Sequence, residues 1–324
     1  MFVRLCEILA RTPFLGGGGG PLGVDIGTRA VKLLRWPRKS GRPPEYAITP
    51  LPAGAVEERN IRDAEAVGRC IAEAAGTLRS PGRLAVTAVP SSLVMQKTLA
   101  MEPEMSDAEL EAQITVEADR YIPWPIDEVR MDFCRLDGPE HAAGSILLSV
   151  CRKEHVDLRE QAVESAGLQA AAVDAEHHAV ERAWRLLAPG PNEAGLTAVA
   201  DIGAGAIRLY VLSDGRSIYN AERPFSDSAQ SRREPESFAV DSAGQLGQAL
   251  QLFHSSSRHG RVASLYLCGA AAAAEGLAEQ AQRILAIPVA PANPFSGASA
   301  GPVAEDGPAL LLAAGLAIAG GRHD

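Results

Sequence analysis

One short pattern occurs twice in this chain: Val24-Asp25-Ile26-Gly27 and Ala200-Asp201-Ile202-Gly203. In each copy an apolar run ends in an aspartate and a glycine, and a second apolar run follows. These second runs are Ala30 to Trp36 and Ile207 to Leu212. Short apolar runs bounded by glycine turns predict paired strands, and glycine makes the turn without a Cβ clash. Two such openings so far apart imply an internal duplication, with one βαβ-type lobe repeated and a cleft between the copies. At 324 residues the chain is long enough for two lobes. With 46% hydrophobic and 22% charged residues it can bury a full core, and 5% aromatic content makes that core Ala, Val and Leu.

Further strands are expected at Tyr46–Leu51, Leu84–Val89, Leu93–Leu99, Val129–Leu136, Ser145–Val150, Leu168–Val173, Val262–Cys268 and Pro288–Ala290. Helices are expected over Asp63–Leu78, where Ala66, Val67, Cys70, Ile71 and Ala74 recur at helical spacing, and over Lys153–Ala166, Glu176–Leu187 and Phe238–Phe253. Ser106 with Glu109 forms a capping box for a helix from Asp107 to about Arg120, which Pro123 and Pro125 stop. Ser226 to Ser237 is polar and reads as an exposed loop. Met1 to Pro13 reads as a short docked helix or as a weak interfacial helix on a membrane, ahead of a hinge at Gly16–Gly20. Pro308 to Gly320 is apolar but too short to span a bilayer, and predicts a buried helix.

The net charge of −9 argues against a nucleic-acid footprint. Five scattered cysteines without a CxxC pair argue for reduced thiols, not a disulfide framework or zinc site. His177 and His178 splay apart on a helix and read as packing residues. Glu109, Glu111, Glu117 and Asp119 read as a solvated face. No GxSxG or HExxH motif occurs, and no catalytic residue is assigned.

The two turns carry the chemistry. Backbone N–H groups around Gly27 and Thr28 can face phosphate oxygens, Lys32 adds a cation, and Asp25 can hold Mg²⁺ through water. Asp201, Gly203 and Gly205 offer a matching turn, with Asp201 the second candidate metal carboxylate. Gly269, after the strand Val262–Cys268, can approach a nucleoside face. The same residues also fit two hairpins kept only by topology.

The order of two phosphate turns and an adenosine turn resembles the actin, sugar kinase and heat-shock ATPase superfamily. Within it the chain resembles the PilM family, the cytoplasmic actin-like component of type IV pilus assembly. The stretches LGVDIGTRAVKLLRW, EMSDAELEAQITVEADRYIPWPIDEVRMDF, LLSVCRKEHVDLREQAVESAGL, ALQLFHSSS and GLAIAG carry the match. The resemblance implies a bilobal α/β fold with ribonuclease H-like lobes. It divides the chain into an N-terminal segment (1–20), lobe 1A (21–90 plus 169–190), an inserted FtsA-type 1C subdomain (91–168) and a second lobe, 2A with a reduced 2B (191–324).

The departures bear on the cofactor. Ile207 stands where the superfamily has a phosphate-contacting Thr, and an alkyl group donates no hydrogen bond. The Gly-Gly-Thr and Ala-Glu-x-x-Lys helices expected after Arg223 do not appear, and Ala270 replaces the second glycine of the adenosine turn. ATP with Mg²⁺ is therefore expected to bind weakly or not at all. The resemblance implies a partner, the N-terminal cytoplasmic tail of a PilN-like inner-membrane protein, held near subdomains 1A and 1C. Arg120, Tyr121 and Ile122 are the candidate contact residues. Other pilus components and self-association stay open as partners, and the expected location is cytoplasmic, at the inner membrane through the partner. Rival readings are an active ATPase or small-molecule kinase, an FtsA-like polymer, and a GspL-like secretion component, whose expected transmembrane helix this sequence lacks.

Overall fold

The computed structural model describes residues 20–37, 43–79, 82–136, 142–187, 195–225, 235–296 and 305–319. The expected N-terminal helix lies outside them, as do most of the Gly16–Gly20 hinge and most of the 226–237 loop. Strand β1 (Leu22–Ile26) turns back into β2 (Ala30–Arg35), and β3 (Glu45–Pro50) continues the antiparallel pairing. A small hairpin follows, β4 (Val56–Glu57) and β5 (Asn60–Ile61). Strand β6 (Leu84–Val89) adds parallel to β1. An insertion then carries β7 (Val94–Ala100), β8 (Val129–Arg135) and β9 (Ser145–Arg152) before β10 (Gln169–Ala175) returns to pair with β6. The second half repeats the scheme with β11 (Leu196–Ile202), β12 (Ala206–Ser213), β13 (Arg216–Pro224), β14 (Val262–Cys268) and β15 (Val289–Pro291). The sheet orders are β10-β6-β1-β2-β3 and β13-β12-β11-β14-β15. From β3 to β10 and from β13 to β15 the succession of antiparallel and parallel pairs is the same, so the duplication read from two turns extends through both sheets.

The helices follow the same repeat. On the outer face of the first sheet lie α1 (Ala64–Thr77) and, after the insertion's α2 (Asp107–Val116) and α3 (Ala118–Tyr121), α4 (Lys153–Ser165). Helix α1 starts because the Asp63 carboxylate accepts from Ala66 N at 2.8 Å. It buries Val67, Cys70, Ile71 and Ala74, the residues its spacing marked. Helices α6 (Pro235–Ser256) and α7 (Leu277–Leu285) cover the second sheet in the equivalent way. Helices α5 (Glu176–Leu187) and α8 (Leu311–Ala317) lie between the two sheets. There Val86, Ala183, Trp184, Val199, Tyr210, Leu312 and Leu316 form one core shared by both lobes.

Two details depart from the sequence reading. Strand β13 was not expected, because Asn220, Glu222 and Arg223 break the apolar alternation of a strand that is only half buried. The helix expected from Asp107 to Arg120 breaks at Glu117 (φ −98°, ψ 12°) into α2 and α3. Helix α4, within the expected 91–168 insertion, packs Ala162 and Val163 into the core of α1. The sheet β7-β9-β8 keeps a core of its own from Leu110, Ile114, Met131, Ile146 and Leu148. Among the described residues, no helix is long and apolar enough to cross a membrane.

The central helices approach closely because small residues line them. A Cβ on Gly23 would fall 2.1 Å from Ala313 O, and one on Gly315 would fall 1.9 Å from Ala179 O. Gly23→Ala and Gly315→Ala should each destabilise the fold by about 1–3 kcal/mol through overpacking. Urea titrations should show a lower midpoint with an unchanged slope.

Candidate functional site: the cleft between the lobes

The two turns are copies in geometry as well as in sequence. Gly27 N donates to Ala30 O at 3.0 Å, and Gly203 N donates to Ala206 O at 3.0 Å. Asp25 lies opposite Lys32 across the β1–β2 ladder, and Asp201 lies opposite Arg208 across β11–β12. Each pair closes an ion bridge, Lys32 Nζ to Asp25 Oδ2 at 3.0 Å and Arg208 Nη2 to Asp201 Oδ2 at 3.0 Å. Arg208 is thus the second lobe's counterpart of Lys32. The turns face one another, since a Cβ on Gly205 would sit 3.7 Å from Thr28 Oγ1. The structure therefore brings together Asp25, Gly27, Thr28, Lys32, Asp201, Gly203 and Gly205. Gly269 is close but turned to another task. Its backbone is left-handed (φ +94°), and a Cβ there would fall 2.1 Å from Asp201 Oδ1, so only glycine fits.

Five further residues, Arg59, Ser92, Glu176, Tyr210 and Glu222, complete the cleft. Glu176, the first residue of α5, accepts from Arg59, from Arg208 Nη1 at 3.4 Å and from the Tyr210 hydroxyl at 3.3 Å. Arg59 Nη1 also donates to Glu222 Oε2 at 3.2 Å, the same oxygen that accepts from the Ser92 hydroxyl at 3.1 Å. Burial works against the Lys32 ammonium, but Asp25 and Asp201 outweigh it and hold its pKa above the ordinary lysine value. Burial likewise opposes charge on Arg208, and Asp201 and Glu176 outweigh it. Burial and the Glu176 charge push the Tyr210 phenol well up, so it remains a neutral donor. Arg208 was visible in the sequence at the same offset from Asp201 as Lys32 from Asp25. Arg59, Glu176 and Glu222 carried no local signal.

The cleft as arranged is held by the protein's own side chains. Both candidate metal carboxylates hold a cation of the protein, and the Arg208 guanidinium covers the second turn, 2.9 Å from where a Gly203 Cβ would stand. Ile207, 2% exposed, packs into the second lobe's core with Leu209 and Val211. A cavity of about 10 Å³ beside Ser91, Glu176, Arg208, Tyr210 and Glu222 holds a single water at most.

The candidate partner residues divide. Ile122 is 5% exposed in the insertion's own core, so it presents no surface, and its candidacy is corrected on that ground. Arg120 is exposed and bridges to Glu117 at 2.6 Å, while the Tyr121 hydroxyl donates to Glu117 at 2.5 Å. Lys97 Nζ lies 5.4 Å from the Tyr121 ring centre, and Val116 beside them is 86% exposed. Glu117 is thus spent on its neighbours, whereas Glu111 and Asp119 remain solvated.

The histidine pair is buried packing. His177 Nδ1 meets the Ser91 hydroxyl at 3.1 Å, and His178 Nδ1 meets Asp174 at 3.2 Å. Burial and the neighbouring His178 push His177 down to about 3 from 6.5. The native state then refuses a proton that the unfolded chain takes, so the contribution is full above pH 6.5 and is lost as pH falls toward 3. His178 is shifted upward, burial being outweighed by Asp174, and acts with the opposite sign. His177→Asn isolates the first effect. The stability of the wild type relative to this variant should fall by about 2 kcal/mol between pH 7 and pH 5, as measured by urea denaturation at each pH.

Comparison with known proteins follows this geometry. The family model described as type IV pilus assembly protein PilM matches residues 23–232 and 234–320. A chain of a solved PilM-PilN type IV pilus biogenesis complex is 26% identical, with 93% of this chain and 98% of that one covered at a TM-score of 0.74. The ethanolamine utilization protein EutJ of Carboxydothermus hydrogenoformans is 17% identical, with 98% and 96% covered at a TM-score of 0.53, a likeness of fold alone.

Proposed function

The chain belongs to the PilM family of type IV pilus assembly proteins, with an actin-like fold, and from that premise we propose that it is a scaffold of the pilus machine. It binds the N-terminal cytoplasmic tail of a PilN-like inner-membrane protein, and that tail ties it to the cytoplasmic face of the membrane. The observation that supports this reading most is the 26% identity, over nearly the whole chain, to a member of a PilM-PilN complex. The insertion suits such a tail. Strand β7 lies at the edge of its three-stranded sheet, so an extended segment can add to its main chain. Arg120, Tyr121, Lys97 and Val116 supply mixed basic and apolar contacts beside it. Nucleotide binding is degenerate, and no chemical step is assigned to the cleft.

Calorimetric titration with a synthetic peptide of the PilN-like tail tests the reading. The wild type should bind, and Tyr121→Ala combined with Lys97→Glu should weaken binding by about tenfold, or 1.4 kcal/mol. A folded wild type that ignores the peptide, or a double variant with undiminished affinity, sinks the proposal in its present form.

Nucleotide gives a separate expectation. Micromolar Mg·ATP should release little heat and turn over no faster than background. Lys32→Met, once shown to be folded, should change peptide affinity by less than about twofold, because the cleft and the edge strand are separate sites. Tight ATP binding with hydrolysis abolished by Asp201→Ala would point to the enzyme instead.

A further inference from the structure

The hairpin β4–β5 turns through Glu58 and Arg59, both of which have left-handed backbones (φ +46° and +66°). A two-residue hairpin turn of this kind ordinarily takes Asn-Gly, and long side chains there store strain that the surroundings must hold. Here the surroundings do hold it. The buried Arg159 donates from Nη2 to Arg59 O at 3.1 Å, and anchors itself on Ala88 O at 2.7 Å and His155 O at 2.8 Å. The result is that the Arg59 guanidinium lies between two carboxylates, Glu176 on the first lobe's α5 and Glu222 on the second lobe's β13.

Other contacts across the cleft meet at the same place. Glu176 reaches Arg208 and Tyr210 of β12, and Ser92, at the start of the insertion, reaches Glu222. Arg208 in turn holds Asp201. The space that a polyphosphate and its metal would join from both sides is thus joined by the protein's own arginines.

We infer that Arg59 and Arg208 form a built-in ionic latch that closes the two lobes without nucleotide. Arg208 neutralises the second turn and covers it, and Arg59 bridges the lobes through Glu176 and Glu222. The strained turn is the means by which an arginine reaches that position. This inference rests on the scaffold reading of the cleft and gives it a physical cause: each buried charge of the two turns already faces a counter-charge of the protein, which a polyphosphate would have to displace.

The test measures the distance between spin labels carried by non-natural residues at two exposed outer positions, Glu65 on α1 and Gln251 on α6. Labels of this kind avoid the native thiols. The latch requires one narrow distance distribution in the nucleotide-free wild type, unchanged by millimolar Mg·ATP. Arg59→Gly and Glu222→Gln should each lengthen and broaden it. Arg59→Gly is the discriminating variant, because glycine suits the left-handed turn better than arginine. If the turn is only a turn, this variant keeps the wild-type distance at equal or higher stability, and the latch is overturned. A long distance in the nucleotide-free wild type that Mg·ATP shortens overturns it equally. Tail-peptide binding is read separately. A wild type that ignores the peptide while the variants lengthen the distance as expected counts against the pilus reading alone, and variants that keep the wild-type distance while the wild type binds the peptide count against the latch alone.

Discussion

The relation of the two lobes depends on the contact of α5 with α8, two helices of small residues held between two sheets. Ala179, Gly315 and Ala313 let their backbones and that of β1 approach to distances that admit no added methyl group. Trp36 Nε1 donates to Ala314 O at 3.2 Å and Arg182 Nε to Gly315 O at 2.9 Å, so side chains also fix the later helix by its main chain. Dispersion falls steeply with a gap of even an ångström, so the spacing of the sheets follows from the side chains at these few positions. The low aromatic content of the chain is the compositional trace of this arrangement, because a ring at Ala313 or Ala179 would part the sheets.

Charge does at the mouth of the cleft what packing does at its base. Asp25, Asp201 and Glu176 are almost fully buried, and a buried carboxylate is tolerated only when paired. Here every one of them has a cation of the protein within reach. Removing one member of such a pair leaves a buried uncompensated charge and costs about 3–5 kcal/mol, whereas the intact pair contributes little net stability. The pairs therefore act less as glue than as a constraint on geometry. Each charge faces a counter-charge, although Asp201 Oδ1 and Arg208 Nε keep no hydrogen-bond partner among the described residues, and any ligand must offer more than it displaces.

Most of the architecture was legible because it was written twice. Two Asp-Ile-Gly turns announced two lobes, and the helical spacing of Val67, Cys70, Ile71 and Ala74 marked the covering helix. What could not be read depends on distance in sequence. Glu176 meets Arg59 across more than a hundred residues, and neither lies in a pattern that betrays the other. Arg208 stands at the same offset from Asp201 as Lys32 from Asp25. Along β12 Ile207 faces the lobe core, and alternation turns Arg208 to the cleft. Ile122 stands at a helix end before a proline, a place open both to partner contact and to core packing, and its burial follows from the sheet it packs on.

Duplication also locates the asymmetry on which a scaffold can act. After β6 the first copy inserts a sheet of its own, whereas after β14 the second copy passes through a short glycine-bounded turn to α7. The insertion is thus the element that the repeat did not supply, and it is tied to the cleft at its first residues. The Ser91 hydroxyl accepts from His177 N at 3.0 Å in the first turn of α5, and the Ser92 hydroxyl bonds Glu222 on the second lobe. Ser91 and Ser92 thus tie the first residues of the insertion to α5 of the first lobe and to β13 of the second.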